Sequence, residues 1–491
     1  MRGARKIIAC VVLVAAVAAY SLAFQGSRGL WERDEGRYTN VALRMLDKKD
    51  FIVPTLSDEK PHFTKPPLTY WVIAAGVTLL GRNEWGARLG NALAFAGTIL
   101  VVFAMARRIT PQRPWLPPLV YATSIFPFAA ANIVTTDTLL TLWEAVAVLG
   151  FVEWWEHRDE KEKGRGLVLM WAGFGLAFLT KGPPGLLPLA AVVAFVWLSG
   201  GTRKVARLFP APGIALFAVV GLGWYLLVAA THPGLMAYFI KDEFINRIAT
   251  GVHRRNPEWY KPLTMYIPAL LFGTIPWTLP LLRAASRANR TILSRAWWRG
   301  VLHEGAWPAF VALWFAIPFA VFCLSHSRLT LYVLPLFVPL SLAAGALSRF
   351  TLGRTAASVL LALWIAALPA LKWAVSFYPN PLDSRQMARV IREQVSPVPS
   401  EVVFIDSVPF WGLSLYLGCE VERVDIKPTG LPRLSLEESL AHELQEKEKG
   451  VLYVVDRRRV DEARALSGRL GWDLVPAGLH DKWVFLAPEK T

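Results

Sequence analysis

The sequence predicts an all-α polytopic membrane protein of about eleven to thirteen transmembrane helices with a small α/β domain at its C-terminal end. Three observations predict it. Apolar runs, most near the ~20 residues needed to cross ~30 Å of hydrocarbon, follow one another from residue 6 to residue 377. Hydrophobic residues make up 54% of the chain against 18% charged, with 21 Trp, a balance foreign to a soluble enzyme. From about residue 380 the pattern changes to short buried runs alternating with amphipathic ones.

The first element, MRGARKIIACVVLVAAVAAYSLAF, has a basic start and an apolar stretch of about 18 residues, so a retained helix is favoured over a cleaved leader. Its basic end is expected to stay in the cytoplasm, which delivers the loop 25–66 to the outside. Further spans are expected at 67–81, 88–108, 114–131, 136–154, 167–180, 184–199, 211–231, 263–283, 307–324, 328–348 and 356–377. Three of them fall between residues 66 and 137. An even number is needed there if the polar segments near 34 and 137 share one side, so at least one is misread. The segments 25–66 and 232–262 are too long for tight turns and rich in charge and aromatic residues, as functional external loops are.

The membrane domain is thus expected over 1–379 and a soluble domain over 380–491. In the latter, EVVFID (401–406), GVLYVVD (450–456) and KWVFLAP read as buried strands. SRQMARVIREQV, LEESLAHELQEKE and VDEARALSGRL read as amphipathic helices. This domain has no Gly-rich phosphate loop and no evident nucleophile, and a structural or acceptor-binding part is expected of it.

A net charge of +16 would suit a nucleic-acid partner, but its placement argues otherwise. Arg107, Arg108 and Arg113, then Arg203, Lys204 and Arg207, then Arg283, Arg287, Arg290, Arg295 and Arg299 lie in short loops between spans. That is the positive-inside pattern, and no nucleic acid is expected. Cys10 and Cys323 lie in apolar runs and Cys419 stands alone, so neither a disulfide framework nor a Cys-based metal site is implied.

Charge also gathers where the bilayer surface should be. WERDEGRYTN (31–40) puts Asp34, Arg37 and Tyr38 on one helix face through i,i+3 and i,i+4 spacing. A locally paired surface helix would look the same. HFTKPPLTYW (62–71) sets Lys65 before a Pro pair, as a snorkelling cation or as a fixed charge for a lipid phosphate. Asp137 follows Thr135 and Thr136, which would cap its helix. Lys181 closes a span before Gly-Pro-Pro-Gly. His253, Arg254 and Arg255 precede an aromatic anchor, and His326 and Arg328 open an apolar span. Ionisable groups near a bilayer are costly and mark sites when they accumulate.

In this order, WERDEGRYTNVALRMLDKKDFIVPTL, HFTKPPLTYWVIAAGVTLLG, TTDTLLTLWE, FLTKGPPGLLP, HRRNPEWYKPLTMYIPALLFGTIPW and SRLTLYVLPLFVPLSLAAG resemble the aminoarabinose transferase family. That family lies within the GT-C class of polyprenyl-phosphate-sugar-dependent glycosyltransferases, alongside the protein O-mannosyltransferases. The resemblance runs from about residue 5 to 380, and the D-E-x-R-Y and F-x-K-P pair is its specific part.

It implies a bacterial inner-membrane enzyme, facing the periplasm, that takes a sugar from an undecaprenyl-phosphate carrier and gives it to lipid A, another glycolipid or protein. By motif position Asp34 looks like the essential acid, with Arg37 and Tyr38 beside it, and Lys65 like the lysine on the carrier phosphate. Asp137 and Lys181 match an inward acid and lysine, and His253 or Arg254 a histidine of the large external loop. No cofactor is expected. The family's Glu before the phosphate lysine is Thr64 here, so a divalent metal would lose a ligand and no tight zinc site is expected.

The chemistry suits these residues. A departing polyprenyl phosphate needs cations, here Lys65 with Arg254 or Arg255. Attack at the anomeric carbon needs a carboxylate, Asp34 first and Asp137 second, to take a hydroxyl proton or balance oxocarbenium charge. A single displacement inverts the centre. A multi-spanning transporter or flippase is the competing class, and the absence of an internal repeat or of paired broken helices argues against it.

Overall fold

The computed structural model describes residues 2–57, 61–157, 160–241, 255–292, 307–347, 355–427, 439–446 and 450–490. The chain divides into two compact units, Met1–Phe24 with Gly90–Lys372, and Gln25–Leu89 with Trp373–Thr491. In chain order the helices begin with α1 (Arg2–Leu22), α2 (Asp34–Lys48), α3 (Leu68–Leu80), α4 (Glu84–Ile109), α5 (Leu116–Thr123) and α6 (Ile125–Ala130). Then come α7 (Thr136–Glu156), α8 (Glu160–Lys181) and α9 (Leu187–Ala206).

Among the described residues, six helices are long and apolar enough to cross a membrane: Glu84–Ile109, Thr136–Glu156, Pro183–Ala206, Ala211–Thr231, Trp307–Leu324 and Thr355–Val375. Shorter apolar helices cover Val11–Leu22, Leu68–Leu80, Pro262–Gly273 and Thr330–Gly345. This is a multi-span membrane protein.

The core of the first unit is aromatic, with Phe151, Trp154, Phe195, Phe310 and Trp314 buried together. Its closest helix pair is α7 against α8. A Cβ on Gly150 would meet the Met170 N at 2.4 Å, and one on Gly166 the Trp154 N at 2.7 Å. On Gly173 it would meet the Ala147 N at 2.6 Å. Only small residues let two backbones come this near in a bilayer, where packing rather than water exclusion holds helices together.

Three of the expected spans take another form, one being the run at 263–283, which breaks between Gly273 and Thr278. The run at 67–81 is α3, a helix of 13 residues. At 1.5 Å per residue it reaches ~20 Å, short of the ~30 Å of hydrocarbon, and it packs on α2 in the second unit. The run at 114–131 breaks at Ser124, whose extended backbone (ψ 133°) separates helices of 8 and 6 residues.

The second unit contains a five-stranded sheet of β1 (Glu401–Ile405), β2 (Glu420–Val424), β3 (Val451–Asp456), β4 (Trp472–His480) and β5 (Trp483–Lys490), in the order β2-β1-β3-β5-β4. β1 runs parallel to β2 and β3, while β5 is antiparallel to β3 and β4. Alternation along β1 sends Val402 and Phe404 to a cluster with Phe410, Trp411 and Trp483. Val403 and Ile405 go to a second cluster with Val455 and Leu486. Both faces are covered, which is why this strand reads as an unbroken apolar run.

Candidate active site

The charged knot at 31–37 sends its acids in three directions. α2 begins at Asp34, with Asp34 and Glu35 in its first turn, where carboxylates favour the helix dipole. Glu35 turns inward. It lies 2.5 Å from Arg28 and 2.9 Å from Arg88, and it accepts the Trp31 N–H at 2.9 Å. Arg88 is fully buried and also donates to the carbonyls of Gln25, Arg28 and Gly29 at 2.7–2.9 Å. Burial alone would raise the Glu35 pKa, but Arg28 and Arg88 outweigh it and hold the carboxyl at about 2.

Glu32 also turns inward, toward hydroxyl and amide donors rather than cations. Its Oε1 accepts from Ser384 Oγ at 2.6 Å and from the Gly412 N–H at 2.8 Å. Burial pushes this carboxyl up to about 8, against those two hydrogen bonds.

Asp34 alone faces out. Its side chain is 46% exposed and pairs with Arg37 at 2.7 Å, the i,i+3 contact its spacing predicts. The Arg37 guanidinium lies 5.1 Å from the Tyr38 ring centroid. Burial would lower its pKa, but Tyr38, Asp34 and Tyr70 outweigh that and raise it. Arg37 Nε is buried and meets no acceptor among the described residues.

The Tyr38 and Tyr70 rings meet at a tilt of 56° with centroids 6.0 Å apart, and the His62 ring lies 6.5 Å from Tyr70. His62 is buried, with Nε2 2.8 Å from Thr64 Oγ1. Burial, then the charges of Arg37 and Lys65, drive the His62 pKa well below its ordinary value, so the ring is neutral. Lys65 is half-buried. Asp34, Arg37, Tyr38 and Lys65 therefore belong to one neighbourhood, to which the structure adds His62.

The first unit brings together a second set. Asn91 Nδ2 donates to the carbonyls of Ile133 and Thr135 at 2.9 and 3.0 Å and fixes the entry to α7. Thr135 caps that helix, accepting the Asp137 N–H at 3.2 Å, and its hydroxyl donates to Asp137 Oδ2 at 3.0 Å. The other carboxylate oxygen of Asp137 takes the ammonium of Lys181, at the C-terminal end of α8. The close glycine packing of α7 on α8 explains how residues 44 apart meet. The Lys181 ammonium also lies 4.3 Å from the Tyr332 ring centroid. Glu144, buried two turns along from Asp137, is a second acid of this helix.

Arg255 is exposed, and its carbonyl accepts the Arg328 N–H at 2.8 Å. Arg328 further donates to the carbonyls of Asn256, Glu258 and Cys323 at 2.9–3.0 Å, fastening the end of the long loop to the end of the Trp307–Leu324 helix. His253 and Arg254 lie outside the described residues.

Residues 64–225 match the family described as Dolichyl-phosphate-mannose-protein mannosyltransferase. An undecaprenyl phosphate-alpha-4-amino-4-deoxy-L-arabinose arabinosyl transferase of Edwardsiella ictaluri is 31% identical over 353 residues, 71% of this chain and 61% of that protein. The aligned region thus spans less than two thirds of that relative. The crystal structure of ArnT from Cupriavidus metallidurans bound to undecaprenyl phosphate matches with a TM-score of 0.74 at 20% identity, over 97% of this chain and 98% of that one. The chain is similar to the aminoarabinose transferases and shares the fold of the ArnT structure. The GT-C fold extends to an oligosaccharyltransferase of Archaeoglobus fulgidus, which matches with a TM-score of 0.55 at 12% identity, over 93% of this chain and 71% of that one.

Sequence reasoning within this family pattern did not single out Glu32, Glu35, Arg88 or His62 as site-building residues. Their partners lie from 2 to 380 positions away. Glu35 carried a signal as the Glu of the D-E-x-R-Y motif, and His62 as the residue that opens HFTKPP.

Proposed function

We propose that this protein is a bacterial inner-membrane glycosyltransferase whose site faces the periplasm. It moves a sugar from an undecaprenyl-phosphate carrier to lipid A, another glycolipid or protein. The observation that carries the reading is the outward Asp34 beside Arg37, whose buried Nε meets no acceptor among the described residues, close to Lys65 and a neutral His62. A buried donor without a partner is costly, and a phosphate oxygen is its natural complement.

In this scheme Lys65 and Arg37 hold the carrier phosphate. The acceptor oxygen forms a bond to the anomeric carbon as the bond from that carbon to the phosphate oxygen breaks, and the electron pair leaves on the phosphate. The cations stabilise that charge as it develops. Asp34 takes the proton when the acceptor is a hydroxyl. When the acceptor is a phosphate there is no proton to move, and Asp34 balances oxocarbenium charge. Asp137, paired with Lys181, is the second acid in line, and Tyr38 packs beside the donor. The anomeric centre inverts.

No metal step enters the scheme. Zinc needs several nitrogen, sulfur or carboxylate ligands, and Thr64 offers a hydroxyl already bonded to His62. The test is transfer by the purified protein in detergent, with the undecaprenyl-phosphate-linked sugar, lipid A as acceptor and mass spectrometry of the products. The donor of the Edwardsiella ictaluri relative makes 4-amino-4-deoxy-L-arabinose the first sugar to try. Stoichiometric release of undecaprenyl phosphate with a modified acceptor is expected. A folded protein that consumes no donor with lipid, glycolipid or peptide acceptors would return the chain to the transporter class.

A further inference from the structure

The segment that carries Asp34 is built into the C-terminal domain. Trp31 and Asp383 form an antiparallel bridge. The Glu32 N–H donates to the Leu382 carbonyl and the Ser384 N–H to the Leu30 carbonyl, each at 2.9 Å. Ser384 Oγ and the Gly412 N–H converge on one oxygen of Glu32. The Leu30 N–H donates to Tyr416 Oη at 2.9 Å, and that hydroxyl donates to Glu84 at 2.7 Å. Arg385 Nε meets the same oxygen of Glu84 at 2.7 Å. Room for this junction is made by missing side chains. A Cβ on Gly36 would sit 2.0 Å from Glu32 Oε1, and one on Gly412 would sit 2.6 Å from Ser384 Oγ.

We propose that the C-terminal domain is the support of the catalytic loop, and that Glu32, held by Ser384 and Gly412, is the positioning residue that sets where Asp34 points. The proposal rests on the transferase reading of Asp34. Glu32 is two residues before Asp34 and nearly buried, so it touches no substrate. It acts through the backbone it anchors. The junction uses hydrogen bonds to a single carboxyl oxygen, which an amide oxygen reproduces. The effect therefore depends on an acceptor at this place rather than on a negative charge.

Reactive groups misplaced by ~1 Å lose up to ~100-fold in rate. Glu32→Ala should thus lower kcat by about 10- to 100-fold, with the KM for the carrier-linked donor within about threefold, because Lys65 and Arg37 remain. Glu32→Gln should restore kcat. Hydrogen exchange of the amides between 30 and 38, which needs no substrate, should quicken in Glu32→Ala and return to the wild-type rate in Glu32→Gln. Wild-type kcat in folded Glu32→Ala overturns the proposal. So does equal loss in Glu32→Gln, which would assign the charge itself a part in the reaction. If Glu32→Ala does not fold, Ser384→Ala and Tyr416→Phe decide from the other side of the junction, and unchanged kcat in both overturns it. A wild-type protein that consumes no donor sinks the transferase reading, and unchanged exchange in the Glu32 variants sinks the support. The two failures are separable.

Discussion

At the scale of single residues, two acids two positions apart, Glu32 and Asp34, have opposite duties. The Asp34–Arg37 pair is half-exposed, and such i,i+3 pairs are worth only about 0.3–0.5 kcal/mol. Asp34→Asn should leave the folding transition nearly where it was while transfer falls by at least ~100-fold, as for loss of an acid–base or electrostatic group. Near-normal transfer by the folded variant would remove Asp34 from the site. Lys65 separates a headgroup anchor from a phosphate ligand. An anchor tolerates Arg, whereas a shaped phosphate pocket fits the planar fork poorly. Transfer rates should fall in Lys65→Arg and further in Lys65→Ala, with unchanged thermal stability; full activity in both would leave Arg37 and Arg255 to bind the phosphate. Glu32 gives a pH signature. Its carboxyl is raised to about 8 in the folded protein, so the folded state holds a proton that the unfolded chain has released. Its contribution is complete below the unfolded value near 4.5 and is lost as pH rises through 8. Wild type should lose thermal stability across that window relative to Glu32→Gln, and parallel pH curves for the two would contradict the assignment.

At the scale of elements, what the sequence disclosed depended on how far a partner lies along the chain. The spacing of Asp34 and Arg37 was legible because both sit on one turn of α2. The cap at Thr135 and the stop at Gly182 were legible for the same local reason. The meeting of Asp137 with Lys181 was not, since it depends on the glycine stripe that seats α7 on α8. The crossing expected at 67–81 failed because composition reports apolarity and not length against the bilayer. Strands β1, β3 and β5 announced themselves as buried runs. β2 did not, because Glu420, Glu422 and Arg423 interrupt it, and β4 did not, because its register shifts between Pro476 and Gly478. Gly36 tests how an element is constrained from outside. In an isolated helix Gly36→Ala would gain ~1 kcal/mol. Here the new methyl displaces a Glu32 carboxyl that can swing aside only by releasing Ser384 and Gly412. Gly36→Ala is expected to lower Tm and to reproduce the kcat loss of Glu32→Ala. A more stable, fully active variant would show that the carboxyl is not held. Arg88 is the harsher case: Arg88→Leu strands Glu35 in a buried site, at a cost of ~3–5 kcal/mol. Little folded protein should be recovered from membranes, and an unchanged yield and Tm would mean Arg28 suffices.

At the scale of the whole molecule, the chain was expected to need no metal, and Thr64 bonded to His62 gives that expectation a chemical basis. Overnight treatment with a strong chelator should leave transfer within about twofold, whereas loss reversed by zinc would place a metal among donors outside the first loop. The second unit also has an uncommon history written into it. The segment that carries Asp34 is near the start of the chain, and the serine that completes its seat comes 352 residues after Glu32. At the ~5–20 residues per second of protein synthesis, the ribosome needs roughly 20–70 s to travel between them. Throughout that interval the nascent protein carries its acid on a loop whose bracket has not been made. In the transferase reading, the seat of the Asp34 segment is complete only once residues 384 and 412 have been made.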